Sequence, residues 1–233
     1  MQRIDSKMKR RKFICIVLLI AIVSFAYYAY TFNLPKWFPF NEENALSEWQ
    51  EKIFKDRVLY VVESEKKEGY LSAQSQEACS GLVHRIKFDP RKFPIVSWQW
   101  KVTQFPKRTN NVEQKEGWLE QDDYAARFYI IFANWNFLNI KSLEYIWDES
   151  LPEGTIKSSP YSDNIKLIVA ESGKDNINRW VLEKRNIPED YKKAFGCKCP
   201  ARVGAIALMT DSDNTISTAE AFYKDIKVGC KDE

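Results

Sequence analysis

With 233 residues, 45% of them hydrophobic and 14% aromatic, the chain has room for one sizeable packed domain and an appendage, and its composition excludes a disordered protein. The net charge of +3 is concentrated at the start, where Arg3, Lys7, Lys9, Arg10, Arg11 and Lys12 are offset only by Asp5. The rest is close to neutral or slightly acidic, which gives a nucleic-acid role little electrostatic support.

Residues 1–12 read as a basic cytoplasmic segment. Phe13–Tyr30 is an uncharged apolar run of eighteen residues; as a helix it would extend roughly 27 Å, enough for a bilayer core. The basic cluster before it holds the N-terminus inside. A retained transmembrane signal anchor over 13–30 is therefore expected, with Tyr27, Tyr28, Tyr30 and Trp37 at the far interface and a Pro-containing tether over 31–43. A cleaved signal peptide is the rival, but small residues at both positions before a cut are hard to find near Ala26 and Ala29. Under either reading residues 44–233 form an extracytoplasmic domain.

Asn44–Trp49 has the makings of a helical turn, after which strand signals take over. Val58–Val62, Tyr70–Gln74 and Gly81–Phe88 are short runs rich in β-branched and aromatic residues, separated by charged or Gly-containing turns. Ser97–Val102 alternates strictly, so Trp98, Trp100 and Val102 share one face and pack in the core. A polar loop spans Lys107–Gln121. Asp123–Ala133 reads as the longest strand, with Arg127 and Tyr129 on the face opposite Phe128, Ile130 and Phe132. Leu143–Trp147 and Ile165–Glu171 are further strands across a long loop at Asp148–Asp163, and Trp180–Arg185 is another.

Pro188–Gly196 reads as a single helix, with Pro at its start and Gly just past its end. Val203–Met209 is an apolar run suited to a strand buried on both faces. It breaks into Thr210-Asp211-Ser212-Asp213-Asn214-Thr215 before a last strand over Ala219–Val228. About ten short strands and one late helix predict a mainly β chain, an antiparallel jelly-roll-like β-sandwich preceded by the transmembrane helix.

Four of the five cysteines, Cys79, Cys197, Cys199 and Cys230, fall in the exported part, where thiols tend to be oxidised. Disulfides tying Cys79 and Cys230 to the Cys197–Cys199 loop are expected; the sequence leaves the pairing open, and only one close pair exists for a zinc site. His84 is the sole histidine, so a multi-histidine metal site is excluded and any Ser-His-Asp triad would have to use it. Nucleophile-elbow, P-loop and dinucleotide fingerprints are lacking.

The polar loop after the buried strand is the candidate site. Asp211, Asp213 and Asn214 could serve as a well-bonded turn, or hold a hard cation or a polyol. Asp123 and Arg127 would lie beside them as further ligand-binding residues. The chain requires no cofactor on this reading; Ca²⁺, on Asp211 and Asp213, is the one metal considered. Asp122, Asp123, Asp190, Asp211 and Asp213, with Arg127 and Arg185, offer either Arg–Asp clamps or a glycosidase-like carboxylate pair. Trp118 and Trp135, in polar loops, are the candidates for a platform stacking on a sugar ring.

Several motifs together resemble one bacterial family. They are Trp98-x-Trp100-Lys101-Val102, Asp122-Asp123-Tyr124-Ala125-Ala126-Arg127-Phe128-Tyr129, Tyr145-x-Trp147, Arg185-Asn186, Asp190-Tyr191 with Phe195-Gly196, and Met209 to Thr215 with Tyr223-x-Asp225-Ile226. The family is domain-of-unknown-function family 3047, and the likeness runs from about Val58 to Val228, with Gln121 standing where a glycine is usual. The resemblance implies no established activity. More distantly it is similar to galactose-binding-like sandwiches, including carbohydrate-binding modules. Three functions follow as expectations: a membrane-anchored non-catalytic binding module for carbohydrate, an accessory or scaffold subunit of a membrane complex, and a carboxylate-dependent hydrolase. Their partners would be a glycan ligand or membrane-complex subunits.

Overall fold

The computed structural model describes residues 34–42, 44–65, 68–108, 122–136, 139–196 and 199–231. In chain order these form β1 (Lys36–Phe38), β2 (Trp49–Lys55), β3 (Leu59–Glu65), β4 (Glu68–Gln76), β5 (Cys79–Phe88), β6 (Ile95–Gln104) and β7 (Arg127–Phe132). There follow β8 (Ser142–Asp148), β9 (Ile156–Ser159), β10 (Ser162–Ser172), β11 (Val181–Asn186), helix α1 (Ile187–Phe195), β12 (Val203–Asp211) and β13 (Thr218–Cys230). One sheet has six strands in the order β11-β6-β13-β4-β3, with β1 also paired to β13; the other has seven, β2-β5-β12-β7-β8-β10-β9.

Alternation along the strands decides what lies between the sheets. From β6, Trp98, Trp100 and Val102 are fully buried, and from β7, Phe128, Ile130 and Phe132. Trp98 stacks on Phe128 at 4.5 Å and lies 5.2 Å from Tyr145, while Trp100 is 6.0 Å from Trp147. These contacts bridge the two sheets and make the fold a β-sandwich. Removing each such ring from water is worth roughly 1.5–3 kcal/mol, so the cluster contributes directly to the cohesion of the two sheets.

Two of the corners at which the chain passes between the sheets adjoin each other. Glu77-Ala78 carries β4 into β5, and residues 212–217 carry β12 into β13. The Ser212 amide donates to Ala78 O at 3.1 Å and the Glu77 amide to Ser217 O at 2.8 Å. Ser75 Oγ lies 2.7 Å from Ser212 Oγ. The polar loop after the buried strand is thus a sheet-switching corner, whose backbone is satisfied by its twin.

Helix α1 forms as its flanking residues predict. The Asn186 side chain accepts from the Glu189 amide, and Gly196 adopts a left-handed φ of 69° with its amide donating to Lys192 O. Asp190 on its first turn receives Arg185 Nε at 3.0 Å and Tyr145 Oη at 3.0 Å, which docks the helix beside β11 and β8.

Several expectations need correction. The sandwich is not wholly antiparallel, because β10 runs parallel to β8. The longest described strand is β13, with 13 residues; β7 starts only at Arg127, and Asp122–Ala126 is irregular. That segment is bonded instead by other elements: Asp211 N donates to Tyr124 O, Trp147 N to Ala126 O and Thr210 Oγ1 to Ala125 O. The segment read as a tether contains β1, whose Lys36–Phe38 pair with Ile226–Val228. The loop between β8 and β10 contains β9. The expected disulfides are not formed among the described residues: Cys79 and Cys199 carry free thiols, and Cys197 lies outside the described residues. Cys79 opens β5 opposite Asp211 and Cys230 closes β13 opposite Ile95, so strand register sets their places. The apolar run at 13–30 also lies outside the described residues, among which no helix is long and apolar enough to cross a membrane.

Candidate functional site

At the start of β7 the pleat sends Phe128 into the sandwich and Arg127 to the outer face of the seven-stranded sheet. Arg127 is only 3% exposed, and three carboxyls surround it. Nε and Nη2 donate to the two oxygens of Asp211 at 3.0 and 2.5 Å. Nη1 donates to Glu144 Oε1 at 2.6 Å, and Asp122 Oδ2 stands 3.6 Å from the same nitrogen. The carboxyls come from β12, from β8 and from the irregular segment before β7. The sheet therefore gathers side chains distant in sequence around one guanidinium.

The Tyr124 ring lies 4.6 Å from the Arg127 guanidinium and 4.6 Å from that of Arg108, and Lys157 Nζ approaches it at 5.5 Å. Such ring–cation contacts hold Arg108 in place, and it also pairs with Asp148 at 3.1 Å and donates to Asp123 O at 2.9 Å. Below the ring, Tyr124 packs with Ile146, Leu167 and Val169 in a small apolar cluster.

One guanidinium cannot neutralise three carboxylates in a dry site. Burial pushes Asp211 up to about 7 despite its two bonds from Arg127. Burial likewise raises Asp122 and Glu144, against the pull of Arg127. Burial thus opposes full ionisation of the three carboxyls, and their titrations are coupled through Arg127. Asp148 goes the other way: burial opposes its ionisation, but Arg108 and the amides of Leu151 and Ser150 together hold it below its ordinary value. Burial lowers Lys157.

The residues expected from sequence divide into two groups. Asp123, Arg127 and Asp211 do converge, but as a buried framework. Asp123 accepts from the Thr215 amide at 2.6 Å, from Thr215 Oγ1 at 2.6 Å and from the Asn214 amide at 3.3 Å. Asp211 also accepts from the Tyr124 amide at 2.9 Å. Asp213 and Asn214 stand half-buried at the lip, where Lys55 Nζ donates to Asp213 O and Asn214 Nδ2 to Tyr161 Oη. Trp118 lies outside the described residues, and Trp135 is 96% exposed on the loop after β7. Asp190 and Arg185 belong to the helix dock.

Glu144, Arg108, Lys157 and Tyr161 are the members that sequence reasoning missed. Glu144 did leave a trace, as the one charge inside the apolar run Leu143–Trp147; the others lie in segments with no periodic signal.

Cys79 Sγ, an Asp211 oxygen and an Asp213 oxygen come within 4.8 Å of one another. This set does not suit Ca²⁺, which takes six to eight oxygens. Asp211 already gives both oxygens to Arg127, and the third donor is a thiol that burial keeps protonated. His84 is core filling: it is 4% exposed against Phe38 and Trp49, with Nδ1 3.2 Å from Glu48 O.

Among solved structures, the chain is similar to a carbohydrate-binding module, TmCBM27, studied for specific mannan recognition, with a TM-score of 0.39 and 9% identity over 84% of this chain and 96% of that one. It is similar to the K1 cleaved adhesin domain of Lys-gingipain from Porphyromonas gingivalis W83, with a TM-score of 0.36 and 9% identity over 80% and 92% of the two chains. An exo-β-agarase gives a TM-score of 0.35 and 10% identity over 84% of this chain and 25% of its own. No curated protein matches by sequence. The profile of the family described as "Protein of unknown function (DUF3047)" matches residues 47–227, and the chain belongs to that family.

Proposed function

We propose that this chain is a non-catalytic binding module that takes a saccharide at the Asp122 corner, on the outer face of the seven-stranded sheet. The observation that carries the reading is a shortage of partners at this corner. Tyr124 Oη is buried without a hydrogen bond. Asp122 is 5% exposed, and its only described ion pair is the loose 3.6 Å contact with Arg127. Buried polar groups are nearly always satisfied, so the unbonded Tyr124 hydroxyl, on the same segment as the weakly paired Asp122, would suit a hydroxyl-bearing molecule. A sugar supplies several hydroxyls, and Arg127, Asp211 and Glu144 hold the corner rigid, which lowers the entropy cost of binding. Asp213, Asn214, Tyr161 and Lys157 form the lip. The domain is presented outside the cytoplasm on the 13–30 anchor, a placement that rests on the sequence pattern.

The test is calorimetric titration of the purified full chain with a panel of neutral oligosaccharides. Asp122→Asn and Tyr124→Phe should each weaken binding several-fold, with unchanged far-UV spectra. Equal affinity in both variants and the native chain would refute the assignment. A second reading, an accessory subunit, is favoured by Ile53, Phe54, Leu59 and Val61, exposed large side chains on the edge strands β2 and β3. Isolation in mild detergent would then recover a stoichiometric partner, lost on Phe54→Lys.

A further inference from the structure

The opposite side of the sandwich carries a second, differently built surface. On the outer face of the six-stranded sheet, register places Tyr70 of β4, Phe222 and Lys224 of β13, and Lys101 of β6 around Trp180, the residue before β11. Tyr70 lies 5.8 Å from Phe222 and 6.0 Å from Trp180. Lys101 Nζ stands 4.3 Å from the Phe222 ring and 5.1 Å from the Trp180 ring, and Lys224 Nζ 4.7 Å from Trp180. Further along β13 on the same face, Trp37 is 54% exposed, donates to Asp225 Oδ1 at 3.3 Å and has Lys227 Nζ 5.6 Å from its ring. Leu182, 66% exposed, continues the row onto β11.

The charges on this face are unequally engaged. Glu63 accepts from Tyr70, Glu68 pairs with Lys224 at 2.6 Å, Glu220 accepts from Gln74 and Thr103, and Asp225 accepts from Trp37 and Gln99. By contrast, Lys101 and Lys227 make ring contacts and no ion pair among the described residues. A lysine laid against aromatic faces keeps its N–H donors for a further acceptor. The faces offer sequence-tolerant stacking area, and the unmatched cation between them asks for an anion on a flat, ring-shaped ligand. A uronate residue combines the two, with an apolar C–H face for Trp180 or Phe222 and a carboxylate for Lys101.

We propose that this face binds an acidic glycan, a chain containing uronate residues, with Lys101 pairing its carboxylate and Trp180, Phe222 and Tyr70 stacking on its rings. The surface is separate from the Asp122 corner and does not depend on it.

The experiment titrates the full chain in detergent with oligogalacturonate and with a neutral mannooligosaccharide of equal length, read by tryptophan fluorescence. Oligogalacturonate should bind at low salt and weaken as salt rises. Lys101→Gln should weaken it roughly tenfold, as expected for loss of a charge-assisted bond, while Lys101→Arg should retain most of it. Phe222→Leu should weaken acidic binding without abolishing it, and an unchanged melting temperature would show that each variant is folded. A mannooligosaccharide held at the Asp122 corner should not displace oligogalacturonate, so either site can fail alone. Equal binding by native chain and Lys101→Gln would overturn the proposal. So would binding only to vesicles containing anionic phospholipid, which would assign the face to a lipid surface.

Discussion

At the scale of single residues, buried charge sets the behaviour of this molecule. Arg127 is the only cation within ion-pair reach of Asp211, Glu144 and Asp122 among the described residues. Arg127→Ala would leave those carboxyls facing one another, and a loss of roughly 3–5 kcal/mol in chemical denaturation is expected, the usual cost of breaking a buried pair. A loss below about 1 kcal/mol would mean that the cluster is more hydrated than its exposure implies. Glu183 gives a pH signature. It sits opposite Trp98, 8% exposed, and burial pushes it up to about 8 against the pull of Arg185. Its folded pKa is therefore above its unfolded value of 4.5. Between those values the unfolded chain has released the proton that the folded chain keeps, so stability falls as pH rises through this window. Asp211, raised to about 7, adds the same sign over a narrower range. Glu183→Gln should flatten the fall in melting temperature between about pH 5 and 8. An unchanged slope in the variant would place the titration elsewhere.

At the scale of elements, the strands that alternate or run apolar were legible in the sequence, because their burial follows from pattern alone: β6, β7 from Phe128 onward, β12 and β13. Helix α1 was legible for a different reason, its Pro and Gly punctuation. Asn186→Ala, which removes the acceptor for the Glu189 amide, should cost about 1 kcal/mol. The missed elements lack periodicity. β1 and β9 are short, and β2 is an edge strand with Gln50, Glu51 and Lys52 mixed among its apolar residues. Asp123–Ala126 reads as the start of the β7 strand because it leads directly into the alternating Arg127–Phe132, yet tertiary bonds to Thr210, Asp211 and Trp147 hold it irregular. Gly69 shows how tightly β1 and its continuation are seated: an added Cβ would lie 2.0 Å from Phe40 O. Gly69→Ala should therefore prevent normal packing of the 36–41 segment and lower the melting temperature by several degrees, whereas Gly154→Ala, with open space around its Cβ, is strained only by its φ of 82°. Equal effects of the two substitutions would contradict this placement.

At the scale of the whole molecule, the sandwich presents two unlike outer faces around one aromatic core. The seven-stranded sheet carries a buried charge cluster beneath Tyr124; the six-stranded sheet carries the half-buried rings of Tyr70, Trp180 and Phe222 and the exposed Trp37, with lysines against them. The sequence drew attention to Asp211, Asp213 and Asn214 because a polar loop followed a buried strand. The structure gives that loop a topological task, since it is one of the places where the chain changes sheets, beside Glu77-Ala78, and it leaves Tyr124 Oη, like the indole nitrogens of Trp49, Trp98 and Trp100, without a hydrogen bond among the described residues. No pattern in the sequence could tell those roles apart, because the difference lies in which hydrogen bonds are already made. The anchor we propose at 13–30 has a topological test: protease added to spheroplasts should digest the domain while leaving the basic N-terminus intact, and a mature protein beginning near Thr31 would contradict it. The central claim, a saccharide site at the Asp122 corner, is tested most directly by amide hydrogen exchange of the full chain with and without the tightest-binding neutral oligosaccharide. Slowed exchange confined to 122–127, 156–161 and 212–216 is the expected result, and binding that leaves exchange in these segments unchanged would contradict it.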